Sequence, residues 1–402
     1  MKVAIATPEF VPNWGGVGTY AALLAKSLPS EFDVHIISLS RGDGTATAED
    51  RDILDRVTLH SLGTAKDTFI YNSQFQYSLW RKFDQMQSKC HFDLVHANHA
   101  QMPDLFLRMF GTQVPSITTI HTTTRSQRMG SRNARAPISS LERSEKMTYL
   151  LYPFLTTVEK IYLNRCSHFI FVSEFIKRLF ESRLTPPPNS RVIHNGVDTS
   201  MFRSRSEGEC IERFPMLDGR ENIILYSGRL LAMKGLDTVV RAFSRVVKDA
   251  DAHLVIAGAG KFEPWRRMLL ESGVPEDAFT CLFQVPYTQM PYLYPLASVF
   301  VLPSYTESFP MTALEAMASA TPVVASDVGG IPEMIASPRE GVLVAPGDSD
   351  GVAEAVLNFV CDKELARTTG ERARRKVAEE FSSQTMAMRT ADSYRMVLGG
   401  GG

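Results

Sequence analysis

Short apolar runs alternate with helix-forming stretches along almost the whole chain, and that alternation leaves few folds open. Lys2 to Thr7, Val34 to Ile37, Val57 to Leu59, Leu94 to His96, Ser116 to Ile120, His168 to Val172 and Arg191 to His194 read as strands of a first half. Asn222 to Gly228, Leu254 to Ala257, Phe279 to Val285, Val299 to Leu302, Pro322 to Ala325 and Gly341 to Val344 read as strands of a second. Runs this short and apolar suit strands covered on both faces, with a helix returning the chain between each pair. Each half is therefore expected to be α/β, with a mainly parallel, doubly wound sheet.

At 402 residues, 44% of them hydrophobic, the chain has material for two or three domains with sizeable cores. A net charge of −1 offers no basic field for nucleic acid. The five cysteines, Cys90, Cys166, Cys210, Cys281 and Cys361, lie far apart without metal-ligand spacing, which suits reduced thiols in a cytoplasmic protein. Met1-Lys2 leads straight into a strand with no signal-peptide pattern, and no run of about 18 apolar residues suggests a membrane span. Gly399 to Gly402 reads as a tail outside the fold.

The most informative stretch is SYTESFPMTALEAMASATPVVASDVGGIPEMI, from Ser304 to Ile335. It follows one buried strand, crosses a loop containing Glu307, and enters a helix with Pro310 suited to its first position. Glu315 lies inside that helix, and the next strand and Gly329-Gly330 follow. Free amides at such a helix start face the strand's carboxyl end, where they can hold a phosphate. Earlier in the second half, GRLLAMKG puts Arg229 at a strand's carboxyl end and Lys234 at a helix start.

In the first half, Gly15 and Gly16 end a long loop, Pro8 to Trp14, that follows the first strand. Gly16-Val-Gly18-Thr-Tyr-Ala21 formally fits the dinucleotide fingerprint, but that loop is too long for the tight turn an NAD site needs. His96 and His121 stand at strand carboxyl ends, where ligands collect in such sheets. The stretch from Arg125 to Lys146, with Arg125, Arg128, Arg132, Arg135 and Arg143, is broken by Ser, Asn, Gly and Pro137 and reads as a mobile basic loop. The aromatic-rich stretch from Met147 to Leu163 comes next, and cations beside aromatics suit a phosphate-bearing lipid surface. A solvated charge run followed by a core helix is the competing reading.

Two acids eight apart, followed by EAMASATPVVAS and GGIPE, resemble the E-x7-E element of the retaining glycosyltransferases of family 4. Ala320 departs from the pattern, which usually has Gly there, and implies a slightly altered helix end. The resemblance covers essentially the whole chain. It implies the GT-B arrangement of two Rossmann-like domains, 1–198 on the acceptor side and 199–381 on the donor side, with a helix over 382–398 crossing back. Donor contacts are then expected from Gly15, Gly16, Arg229, Lys234, Pro286, Tyr287, Glu307, Ser308, Phe309, Pro310, Met311 and Glu315.

By the same resemblance, Arg229 and Lys234 grip the diphosphate, Glu315 holds the ribose, Glu307 binds the donor sugar, and His121 contacts the donor sugar or the acceptor. These make His121, Arg229, Lys234 and Glu307 the expected catalytic set. His96, His99, Arg125 and Arg128 are acceptor candidates, the two histidines reading first as structural. The implied partners are a nucleoside diphosphate sugar, with UDP favoured, and a hydroxyl acceptor, lipid-linked or anionic, with peripheral contact at a membrane's cytoplasmic face. No cofactor and no metal are expected, since Asp249–Asp251 and Asp348–Asp350 fall at a helix end and a helix start. A sugar-nucleotide epimerase and an inactive sugar-nucleotide-binding subunit remain the alternatives.

Overall fold

The computed structural model describes all residues except 12–14, 41–47, 65–70, 100–101, 135–142 and 400–402, and at 48–50, 99, 143–145 and 147 it describes the backbone only. The chain forms two units. The first comprises Met1–Gln127, Met147–Gly196 and the C-terminal segment from Ser383; the second comprises Arg128–Lys146 and Val197–Ser382.

Seven strands make the first unit's sheet: β1 (Lys2–Ala6), β2 (Asp33–Ser40), β3 (Thr58–Thr64), β4 (Leu94–His99), β5 (Ser116–Ile120), β6 (Phe169–Phe171) and β7 (Arg191–Val192). Their order is β3-β2-β1-β4-β5-β6-β7, and every pairing is parallel. Every residue of β5 is buried, the mark of a strand covered on both faces. The helix Gly16–Ser27 packs against Ser383–Gly399, the chain's last helix, so that helix is part of this unit. Ser27 Oγ donates to Ser383 Oγ at 3.0 Å, and the Arg395 guanidinium pairs with Glu31 at 2.7 Å.

The second unit has six parallel strands: β8 (Ile223–Ser227), β9 (His253–Ala257), β10 (Phe279–Phe283), β11 (Val299–Leu302), β12 (Val323–Ser326) and β13 (Val342–Val344), in the order β10-β9-β8-β11-β12-β13. Its core gathers Ile224, Tyr226, Val240, Phe243, Leu254, Val301 and Phe359. In both sheets the first strand lies between the second and the fourth, and the chain reverses direction across the sheet there. Ligands collect beyond the carboxyl ends of the strands at such a point.

Between β7 and β8, Ser206 and Glu209 form a reciprocal cap that starts the helix Glu207–Ile211. The expected mobile basic loop needs correction. The described part of the basic segment is helical, over Thr124–Asn133 and Arg143–Leu150, with Arg135 and Pro137 outside the described residues. Glu159, buried in the helix Tyr152–Leu163, accepts from the Thr124 amide at 2.9 Å and so anchors the first of these helices. Gly130 explains part of the second unit's hold on this segment, since a Cβ there would meet Thr306 Cγ2 at 2.2 Å. Ala320 stands just past the helix Met311–Ala318 in the left-handed region, at φ +62°, a conformation that costs an alanine strain.

Candidate active site

The second unit places Arg229 and Lys234 beyond the carboxyl end of β8 and Glu307 to Met311 beyond that of β11. After β8 the chain turns through Gly228, where the backbone carbonyl leaves no room for a side chain on Gly258, and Arg229 is exposed beyond it. Gly258 thus permits the close approach of two loops. Tyr226, wholly buried, donates its hydroxyl to the Arg229 carbonyl at 3.0 Å and holds that turn. Gly235 at φ +72° sits so close to the Pro303 carbonyl that a Cβ would meet it at 1.9 Å. This close approach brings Lys234 beside the β11 loop.

There Lys234 Nζ donates to Glu307 Oε1 at 2.7 Å, and Ser304 Oγ donates to the same oxygen at 2.8 Å. The Glu307 carbonyl accepts from the Gly330 amide at 3.2 Å, and Gly329, at φ +62°, is equally bound to be glycine because a Cβ would reach that carbonyl at 1.7 Å. Glu307 is therefore held from three sides by backbone and side chains. Pro310 is the residue before the helix Met311–Ala318 and not its first residue, one position from expectation. It still donates nothing, so Phe309 and Met311 flank the helix opening, with Phe309 buried and Ser308 and Met311 half-buried.

Glu315 lies deeper, 4% exposed, with Tyr294 donating to its Oε2 at 2.8 Å. Burial pushes its carboxyl up to about 7, with the tyrosine hydrogen bond acting against that rise. No partner stands at Oε1 among the described residues. Burial, together with the carboxylates of Glu315 and Asp198, also holds the Tyr287 phenol well above its ordinary range, while neighbouring Pro286 is exposed.

In the first unit Gly15 precedes the helix Gly16–Ser27. Glu9, which no motif singled out, occupies the side-chain space of Gly15: a Cβ there would meet its Oε2 at 2.0 Å. Gly16 has open space around it. His121 is buried, with its ring edge-on to Tyr20 at 4.5 Å. His96 is a different case. Its Nδ1 meets the Tyr394 hydroxyl at 2.6 Å and its Nε2 meets Thr119 Oγ1 at 2.7 Å, with no exposure at all. Both nitrogens are committed to the core and burial pushes its pKa down to about 3, so His96 is set aside as an acceptor contact. Its neighbour Asn98, fully buried on β4, has no hydrogen-bond partner for its side chain among the described residues; nothing in the sequence marked it.

A family model described as Glycosyltransferase Family 4 matches residues 14–201, and one described as Glycosyl transferases group 1 matches residues 211–376. An N-acetyl-alpha-D-glucosaminyl L-malate synthase of Bacillus anthracis is 24% identical over 99% of this chain and 98% of its own. A glycogen synthase of Mycobacterium tuberculosis is 30% identical over 75% of this chain and 68% of its own. The chain belongs to the family 4 glycosyltransferases. The fold agrees: a sucrose-phosphate synthase from Thermosynechococcus elongatus, 21% identical, superposes with a TM-score of 0.81 over 99% of both chains. The glycosyltransferase is thus an enzyme of the GT-B fold.

Of this glycosyltransferase's acceptor candidates, Arg125 donates to Ser182 Oγ at 2.7 Å and borders a depression with Glu159, Lys160 and Arg183. Arg128 is half-buried, Arg132 is exposed, and the His99 side chain lies outside the described residues. Leu150 and Phe154 on the following helices are 65% and 64% exposed, so the aromatic stretch is only partly core. No helix among the described residues is long and apolar enough to cross a membrane. Asp249 ends one helix, while Asp348 caps another by accepting from the Gly351 amide.

Proposed function

We propose that this glycosyltransferase moves a hexosyl unit from a nucleoside diphosphate sugar to a hydroxyl acceptor with retention at the anomeric carbon. The observation that carries this reading is the Lys234–Glu307 contact at 2.7 Å, supported by Ser304, next to the opening of the helix that contains Glu315. An ammonium has three N–H groups, and the described contact uses one, so Lys234 can bridge Glu307 and a phosphate. Arg229 and the amides near Phe309 and Met311 add donors around the same diphosphate. As the nucleoside diphosphate departs, charge grows on its β-phosphate while the sugar becomes oxocarbenium-like, and donors already in place stabilise that charge.

Glu307, held by Lys234 and Ser304, accepts from hydroxyls of the donor sugar. The unpaired oxygen of Glu315 accepts from the ribose, and Pro286 and Tyr287 border the base. In the first unit, His121 and the Gly16 amide are the candidates for donor contact. The leaving phosphate takes the acceptor's proton, and no divalent metal takes part. UDP-sugar is the favoured donor because UDP is common in this family. A thermal-shift panel of UDP, GDP and ADP tests the base, since a ligand at about 100 times its Kd stabilises by about 2.7 kcal/mol. Incubation with UDP-sugar alone tests the reaction: slow hydrolysis is expected, while an epimer or no turnover would reject the transferase reading. Activity lost to EDTA and restored by magnesium or manganese would reject the metal-free arrangement.

For the acceptor we favour an anionic molecule received by Arg125, Arg128, Arg132 and Arg135, and the malate in the Bacillus relative's name points the same way. Replacing the four arginines by serine should leave donor hydrolysis intact and impair transfer. Sedimentation with anionic vesicles that falls as salt rises would place the anion on a lipid. Equal transfer by wild type and the quadruple variant would remove these arginines from the acceptor site.

A further inference from the structure

A cluster at the other end of the first unit's sheet takes no part in the proposed reaction. His35 is the third residue of β2, His60 the third of β3, and Cys90 the last residue of the helix Tyr71–Cys90. In the β2–β3 register His60 pairs with Ile37, two residues beyond His35, so both histidines project from the same sheet face. One ligand atom from each of His35, His60 and Cys90 lies within 4.8 Å of the others. His35 Nδ1 is 2.9 Å from His60 Nε2, and the rings lie 21° from parallel.

The surroundings hold these groups in place. Phe92 sets its ring edge-on to both imidazoles, at 5.1 and 5.9 Å. Gln87 brackets the backbone of Phe92, donating to its carbonyl at 3.2 Å and accepting from its amide at 3.0 Å. Lys2 Nζ donates to the Cys90 carbonyl at 3.0 Å. On the far side of the His35 ring, Asp33 Oδ2 stands 3.4 Å from Nε2. A carboxylate there favours the proton on Nε2 and leaves the Nδ1 lone pair facing His60, the arrangement usual for a metal-bound histidine.

Two imidazole nitrogens and a thiolate form a borderline-soft donor set that suits zinc, with a water to complete four-coordination. We propose that His35, His60 and Cys90 bind a zinc ion that ties β2, β3 and the end of the helix Tyr71–Cys90 together. Its place at the strands' amino ends, opposite the carboxyl ends where the donor contacts gather, makes it a structural ion. The contribution is to the fold of this sheet edge and not to turnover. Sequence spacing could not show it, because the three residues lie on three separate elements.

Cobalt(II) titration of the full-length, chelator-treated protein tests the proposal. One equivalent should give a saturable thiolate-to-cobalt charge-transfer band with the visible bands of a four-coordinate ion, and zinc should displace both. Cys90→Ser should abolish the charge-transfer band with circular dichroism and donor hydrolysis unchanged, while Cys361→Ser, at the exposed thiol, should keep it. Asp33→Asn should weaken cobalt binding by about tenfold. No saturable band at one equivalent, or the same band in Cys90→Ser, would overturn the site and leave an ordinary histidine–histidine hydrogen bond. Should Cys90→Ser fail to fold, cadmium NMR of the unaltered chain decides: a shift for one sulfur and two nitrogens is expected, and an oxygen-only shift overturns it.

Discussion

Each unit buries a titratable group beneath a tyrosine hydroxyl, and the two arrangements differ in one respect. In the first unit Tyr394 meets His96, whose other nitrogen is taken by Thr119; in the second Tyr294 meets Glu315, whose other oxygen has no partner among the described residues. A satisfied polar cluster costs little to bury and stabilises the core, whereas a half-satisfied one keeps the desolvation penalty until a ligand completes it. Burial favours the neutral form of both groups, pushing His96 down to about 3 and Glu315 up to about 7. The closed cluster is therefore read as structure and the open one as a binding group.

The largest expected effect is on turnover and lies beside the open cluster. Lys234→Ala should lower kcat about 100-fold, the scale for losing one pre-oriented donor to transition-state charge, with Arg229→Ala in the same direction. Steady-state kinetics with excess donor checks this, and an unchanged kcat would remove Lys234 from the reaction.

Glu315→Gln should separate binding from stability. The folded-state pKa of Glu315, about 7, lies above its ordinary 4.5, so the wild type loses stability as pH rises between those values. Glutamine still accepts from Tyr294 and carries no charge. The variant should be about 3 kcal/mol more stable than wild type above pH 7 and equal to it below pH 4.5, by hydrogen exchange on second-unit peptides. Titration calorimetry should show weaker binding of the nucleoside diphosphate, and affinity equal to wild type would reject the ribose role.

Tyr394→Phe tests the closed cluster. It leaves a fully buried His96 nitrogen unpaired and should cost about 2 kcal/mol, with donor hydrolysis unaffected. The His96 shift has the opposite sign: its folded pKa, about 3, is below the ordinary 6.5, so its contribution is complete above pH 6.5 and is lost as pH falls toward 3. First-unit peptides should accordingly lose protection on acidification. Turnover falling in proportion to stability would break the distinction between the two clusters.

Ala320→Gly is the smallest expected effect. It relieves a left-handed φ of +62° and should stabilise the second unit by about 1 kcal/mol, read as a rise in its denaturation midpoint. No gain would show that the unfolded chain's added freedom cancels the relief.

Strands, helices and parallel order were readable along the chain because burial on both faces demands unbroken apolar runs and the crossovers between them demand helices. The run Val299 to Leu302, the two acids and the Gly-Gly turn all carried local signals, as did Lys234 at its helix start. The helix over Thr124–Asn133 did not, since its anchor is Glu159, far along the chain, and its Gly130 serves a close approach and not a break. The same limit applied to His96, read first as structural, whose partners Thr119 and Tyr394, the latter from the last helix, lie far along the chain. It applied also to Glu9 beneath Gly15 and to the grouping of His35, His60 and Cys90. Sequence by itself determined which segments must be buried and where helix starts face strand ends, because both depend on neighbours in the chain. Only the tertiary structure decided which buried polar groups are satisfied and which remain open, because a hydrogen-bond partner is selected by distance in space.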